Sequence, residues 1–390
     1  MNYEKSSKVK LFKKVFVIIL PILFVLILFP FALVKFDPGL AGNFADKVLR
    51  PVIGANNTLA LESTLFNIED KFNIIKYKYV KPQLPSVNNE KISSQSQNSN
   101  TISPSIEDYS MQLKPISMFY FTPLSGEGVW NNYPLAQFPN KEVMATTFVR
   151  PDPNRNYAIV TLIKINMKYL NIGAVAGTVE PGSSLGNPGP GKVPLSIQNA
   201  NTLVAAFAGG FQYSDGAYGM IVGGKTYVPL ENNLATFVAY KNGTNEIIDY
   251  IGQNLGDPTS ILFIRQNNPM LVENSMPDTT TQSGGYKAWG RTVTPNMYTW
   301  RSALGITKNG NLIYAVGPSL VPTTIAEALS WAGAVNGMQL DINPYWVRFV
   351  TFTPKGNGQY SYQSLLNTMQ NGGYSYLNGY IKDFMYLYAK

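Results

Sequence analysis

The chain has 390 residues, 45% of them hydrophobic, enough for one large domain or two modest ones. It contains neither Cys nor His, which excludes disulfides, thiolate chemistry and Ser-His-Asp catalysis and removes the usual ligands of zinc. The formal charge of +8 is concentrated at the start: residues 1–35 carry a net +5, leaving +3 for the rest, with no basic run interleaved with aromatics, so no nucleic-acid partner is expected.

Residues 1–14 form a basic tail expected to stay cytoplasmic. Val15 to Val34 is about twenty uncharged apolar residues, long enough to cross ~30 Å of hydrocarbon. Five Lys precede it and Lys35 follows closely, which orients the N-terminus inward and the remainder outward as a single-pass membrane protein. A cleavable signal peptide is the rival reading, but its apolar run is ordinarily shorter and Phe36-Asp37-Pro38 is a poor cleavage site. An exported chain without disulfides fits a bacterial envelope. Residues 35–84 read as a stalk with a short helix and a strand, and 85–105 (PSVNNEKISSQSQNSNTISPS from Pro85) as a flexible linker too polar to bury a core. The folded extracytoplasmic domain is expected over 106–390.

Within that domain strands dominate. Val143 to Val149 and Tyr157 to Ile165 alternate as half-buried strands, and Leu203 to Phe207 is a buried run ending in Ala208-Gly209-Gly210-Phe211-Gln212. Gly219 to Thr226 satisfies the phosphate-loop pattern, but a loop precedes it and β-prone Tyr227-Val228 then Pro229 follow. A hairpin turning at Gly223-Gly224 is the expectation, and no nucleotide partner. Ala235 to Tyr240 and Ile247 to Ile251 flank an Asn-Gly turn. Asn267 to Pro295 reads as loop. Ala303 to Ile306 and Leu312 to Val316 form another hairpin. Thr324 and Glu327 read as a capping box for a helix ending at Asn336-Gly337. Met338 to Leu340 then forms a strand that delivers Asp341 to its far end. A second helix is expected over Tyr362 to Met369, stopping at Asn371-Gly372, and a last strand over Tyr380 to Tyr388. The class is α+β: largely antiparallel or mixed sheet with a few packed helices, preceded by one transmembrane helix. Asp341, beside Asn343 and Pro344 at a strand end, is the candidate site carboxylate; capping a turn before Pro is its bland alternative.

Two separated blocks together resemble a known family. The first is Ala205-Ala-Phe-Ala-Gly209-Gly210-Phe211-Gln212 followed by Gly219 to Lys225. The second is Arg301-Ser-Ala-Leu-Gly305-Ile306 with Asn309-Gly310, then Thr324-Ile-Ala-Glu327, then Leu340-Asp341. Their order is similar to that of the phosphodiester glycosidase domain related to the enzyme that uncovers mannose 6-phosphate, over residues 140–390. Ala208 and Ile342-Asn343 stand where that pattern carries Asn and a Gly pair. The resemblance implies hydrolysis of sugar-1-phosphate diesters in envelope or extracellular glycans. It assigns Asp341 and Arg301 to catalysis, Lys225 to the phosphate with Arg301, Gln212 and Asn343 to sugar hydroxyls, and Gly209 and Gly210 to close backbone approach. It implies no cofactor, although Asp341 with Asp215 offers oxygens for a hard cation such as calcium. The competing class is a catalytically inactive polysaccharide-binding envelope protein of the same fold.

Overall fold

The structure is a computed structural model that describes residues 44, 48–88, 111, 113–283, 288–290 and 297–390. The expected anchor at 15–34 and most of the linker lie outside the described residues. Among the described residues no helix is long and apolar enough to cross a membrane. The chain divides into two compact units, Met1–Leu65 and Phe66–Lys390. In the first, a turn of helix at Arg50–Ile53 precedes helix α1, Ala55–Lys76, whose later residues belong to the second unit. The second unit starts at Phe66. Of the helix and strand expected in 35–84, the described residues show helix through Lys76, then a turn, and no strand.

The second unit is built on antiparallel strands. In chain order they begin β1 (Asn131–Tyr133), β2 (Met144–Val149), β3 (Val160–Ile165), β4 (Leu170–Val175), β5 (Leu203–Ala208) and β6 (Met220–Val222). They continue β7 (Lys225–Val228), β8 (Leu234–Tyr240), β9 (Asn245–Tyr250), β10 (Ile261–Gln266), β11 (Val272–Glu273) and β12 (Met276–Pro277). The last are β13 (Thr299–Thr307), β14 (Leu312–Leu320), β15 (Ala334–Ile342), β16 (Phe349–Gly356), β17 (Gln359–Ser364) and β18 (Phe384–Ala389). They form an eight-stranded sheet, β1-β2-β3-β14-β13-β15-β11-β12, and two of five strands, β7-β6-β10-β8-β9 and β17-β16-β5-β18-β4. The 219–226 segment is the hairpin β6–β7, as its Gly-Gly turn and Pro229 require.

Alternation along each strand sorts side chains between faces. Leu304, Ile306, Tyr314 and Val316 share one core with Ala205, Phe207, Phe349 and Leu387 of the β17-β16-β5-β18-β4 sheet. Ala303, Ile313 and Ala315 turn the other way, onto Ile325, Ala328 and Leu329 of helix α2, Pro322–Trp331. On the outer face of the five-stranded sheet, Ala206, Val350 and Phe352 pack with Tyr376 of helix α3, Gly373–Asn378. Because both faces of β5 are covered, it reads as the uninterrupted apolar run LVAAFA.

Three boundaries differ from expectation. Helix α2 starts at Pro322, where the missing amide is harmless, and not at the Thr324–Glu327 box; Glu327 instead accepts from the Tyr120 hydroxyl at 3.1 Å. It ends at Trp331, and Gly333 just past the cap takes a φ of 93° that suits glycine, so Asn336-Gly337 fall inside β15. Tyr362 to Ser364 lie in β17, and Asn371-Gly372 precede a helix they were expected to end.

Candidate active site

Several strand ends meet at one place. β5 ends at Ala208 opposite Phe384, the first residue of β18, and opposite Phe349, where β16 begins, lies Phe207. β15 ends at Ile342, and a turn of helix at Asn343–Trp346 leads on to Arg348. The segment before β18 brings in Tyr380, Lys382 and Asp383.

Asp341 is 2% exposed and forms a buried ion pair with Lys382, Oδ1 to Nζ 2.5 Å. Burial pushes its carboxyl up from 3.8 to about 7, while the Lys382 ammonium pulls the other way. Lys382 also lies 4.5 Å from the centre of the Trp346 ring. The next residue, Asp383, holds Arg265 by two bonds of 2.8 and 3.2 Å. Arg265 further donates to the carbonyls of Phe211, Tyr218 and Gln266. That guanidinium is fully used in joining β10 to the β5 loop and β18. Glu180, half-buried beside them, accepts from the Tyr213 amide at 2.8 Å, and burial raises its carboxyl.

Among the described residues, four buried polar atoms here have no hydrogen-bond partner: Asp341 Oδ2, Arg348 Nε, and the hydroxyls of Tyr376 and Tyr380. Buried polar groups are ordinarily paired, so such a concentration needs a cause. The Arg348 guanidinium stacks 4.9 Å from the Tyr380 ring and donates to Gln370 Oε1 at 3.1 Å. The rings of Tyr376 and Tyr380 meet edge-on at 5.4 Å. Tyr376 and Tyr380 both feel the charges of Arg348 and Asp341, and burial raises both phenols. Gly372 makes room for the arginine, since a Cβ there would come within 2.8 Å of Nη1. The group therefore combines the Lys382–Asp341 pair with unpartnered polar atoms on Asp341, Arg348 and the two phenols. With Asp383 and Arg265 paired, Lys382 and Arg348 are the cations left to meet an anionic ligand, and Asp341 and the half-buried Glu180 are the carboxyls beside Lys382.

The residues expected from sequence do not all join this group. In β15 the register passes from Arg301↔Ile342 to Ala303↔Gln339, a bulge that sets Leu340 and Asp341 opposite Ser302. Asp341 is thereby turned to the Ser302 face, while Arg301 stays on the Ala303 face. There Arg301, fully buried, donates to Gln339 Oε1 at 2.8 Å and to the carbonyls of Leu320, Trp289 and Met297. The anticipated cleft shared by Asp341 and Arg301 is absent from this geometry; Lys382 is the cation at the carboxylate. Lys225 is exposed on the β6–β7 hairpin, its amine near the Pro188 carbonyl and over the Tyr227 ring at 4.6 Å.

Gly209 and Gly210 border the group for a packing reason. A Cβ on Gly209 would meet Asp383 Oδ2 at 2.1 Å, and one on Gly210 would meet Asn267 Oδ1 at 2.1 Å. Asn267 then donates to the Gly209 carbonyl and accepts from the Phe211 amide. The glycines admit buried polar side chains of the protein itself. Gln212 is half-buried at the start of the turn Tyr213–Gly216. Asn343 adopts φ 64° and accepts from the Tyr345 amide, which sets the turn carrying Trp346 over Lys382. Among the described residues no three His, Cys, Asp or Glu side chains gather in a way that would hold a metal ion.

Arg348, Tyr376, Tyr380 and Lys382 were missed in the sequence. A signal did exist: Arg265 in ILFIRQ, Arg348 in VRFV and Lys382-Asp383 before FMYL are charges set in apolar runs, and a charge buried with its strand needs a partner.

No family model matches this chain, and no curated protein does. Among solved structures, the catalytic domain of zebrafish N-acetylglucosamine-1-phosphodiester alpha-N-acetylglucosaminidase, auto-inhibited by pro-peptide, is similar at 14% identity and TM-score 0.42, covering 78% of this chain and 100% of that one. A hypothetical protein from Synechocystis is similar at 12% identity and TM-score 0.31, covering 64% of this chain and 63% of the other. At these values neither likeness says what this chain binds or cuts.

Proposed function

We propose that the chain hydrolyses sugar-1-phosphate diesters of envelope or extracellular glycans, from a body held outside the cell by the apolar segment 15–34. The observation that carries the catalytic reading is the orphaned Asp341 oxygen, buried with two cationic side chains and two phenols at the meeting of the strand ends. The sequence blocks that resemble the phosphodiester glycosidase domain supply the substrate class.

In this reading Asp341 is the general base. It takes a proton from a water that attacks the anomeric carbon. The bond from that carbon to the phosphate oxygen breaks, and its electron pair leaves on the phosphate as a monoester anion. Such a leaving group is stable as an anion and needs little protonation. Lys382 and Arg348, with the Tyr376 and Tyr380 hydroxyls, bind the phosphate as its charge rises. A base operates best with a pKa near the working pH, and Asp341 lies at about 7. Gln212 and Asn343 remain assigned to sugar hydroxyls.

One feature favours the binding-only alternative. Ile342, where the resembled pattern has glycine, is 6% exposed and packs with Phe211 and Tyr218. Assaying the Phe66–Lys390 body on a panel of sugar-1-phosphate diesters decides between them. The proposal expects free sugar plus phosphate monoester from the wild type, none from Asp341→Asn, and weakened KM in Tyr380→Phe. Saturable binding without turnover on every diester establishes the alternative.

A further inference from the structure

Helix α1 has two unlike faces within Phe66–Lys76. Inward, Asp70 receives two 2.8 Å bonds from Arg155 and the hydroxyl of Tyr157. Tyr77 stacks on Tyr157 at 5.0 Å, and its carbonyl accepts from Asn156. The Arg155 guanidinium in turn lies 3.7 Å from the Tyr298 ring centre. These contacts fix the rotation of the helix about its axis. Outward, Ile68, Phe72 and Ile75 stand at i, i+4 and i+7, one stripe of an α-helix, and are 51%, 65% and 61% exposed. The stripe continues past the helix end in Tyr79 and Val80, both exposed.

Lysines frame this stripe. Lys71 lies on one flank and Lys76 on the other, with Lys78 and Lys81 exposed just beyond the helix. Lys76 rests its amine over the Tyr77 ring at 4.8 Å. An apolar ridge with aromatic residues and basic edges matches the boundary of a bilayer, where apolar side chains enter the acyl region and ammonium groups meet anionic headgroups. A second copy of the chain fits less well. Facing stripes would set Lys71 and Lys76 of one copy against those of the other, while Asp70 is taken by Arg155 and Glu69 lies half-buried. The uncharged run 15–34 stands a short way upstream, so a bilayer holding it would keep this helix close.

We propose that the outward face of α1 and its following turn docks on an anionic lipid surface and seats the folded body against the membrane. This does not depend on the catalytic reading. The absence of cysteine from the chain makes the test direct. The full-length protein carrying Phe72→Cys is labelled with an environment-sensitive fluorophore and reconstituted in vesicles of phosphatidylcholine alone or mixed with phosphatidylglycerol. The expected result is a blue shift and a several-fold fall in acrylamide quenching with the anionic lipid. Lys71→Glu/Lys76→Glu in the same background, or high salt, should reverse both, and a label on Asn242→Cys should stay quenchable throughout. Equal quenching in both lipids overturns the proposal. So does protection without lipid accompanied by Phe72→Cys disulfide dimers, which assigns the face to a second copy.

Discussion

Replacing Lys382 with Met leaves Asp341 buried without its cation, and the consequence is a pH dependence that can be worked out in advance. Asp341 moves from 3.8 to about 7 on folding because burial disfavours its charged form. Between these values the folded chain keeps a proton that the unfolded chain has released, so stability falls as pH rises from ~4 to ~7 and then levels off. At ~1.4 kcal/mol per unit the fall is about 4 kcal/mol in the wild type. Without Lys382 the folded pKa rises further, and the levelling disappears. The variant should therefore lose more stability than the wild type between pH 7 and pH 9, the gap widening with pH. Below pH ~6 the carboxyl is neutral in both proteins, and only a pH-independent packing loss of roughly 1–2 kcal/mol remains. Urea unfolding of the Phe66–Lys390 body at unit pH steps reads these differences. Parallel stability curves for wild type and variant above pH 7 would refute the claim that Lys382 holds Asp341 ionised.

Other substitutions probe the supports of the site. Gly209→Ala drives a methyl against Asp383 Oδ2 and should loosen its pair with Arg265, costing about 3 kcal/mol in chemical denaturation. Arg301→Lys keeps the charge but not the fork that serves Gln339 and three carbonyls; a loss of about 2–4 kcal/mol is expected with KM unchanged. Lys225→Ala, on an exposed hairpin, should alter stability by less than ~0.5 kcal/mol and leave turnover intact, as initial rates on any accepted diester would show.

Much of the architecture could be read from local patterns. The hairpins at Gly223-Gly224, Asn242-Gly243 and Asn309-Gly310 declared themselves because turn chemistry and flanking alternation act over a few residues. The α+β class and β5 as a buried run followed from the same short-range signals. Helix edges were harder, since Pro322 and Gly333 compete with equally plausible neighbours such as Thr324 and Gly337. The site was legible in part. Asp341 at a strand end is visible, but its direction depends on a bulge opposite Ser302, and a one-residue register change reverses the face. Arg301 keeps the Ala303 face, so the bulge leaves the two side chains on opposite faces. The partners Lys382, Arg348 and Tyr380 come from loops and Tyr376 from helix α3, brought near by the sheet order β17-β16-β5-β18-β4. No spacing rule in one sequence encodes that proximity.

The most direct test of the central claim follows heavy oxygen from labelled water into the products of a sugar-1-phosphate diester. Wild type should place the label on the anomeric hydroxyl of the sugar, with an acid limb near pH 7 in kcat/KM, and Asp341→Asn should form no product while remaining folded. Label on the phosphate, or unchanged turnover in Asp341→Asn, would contradict the account.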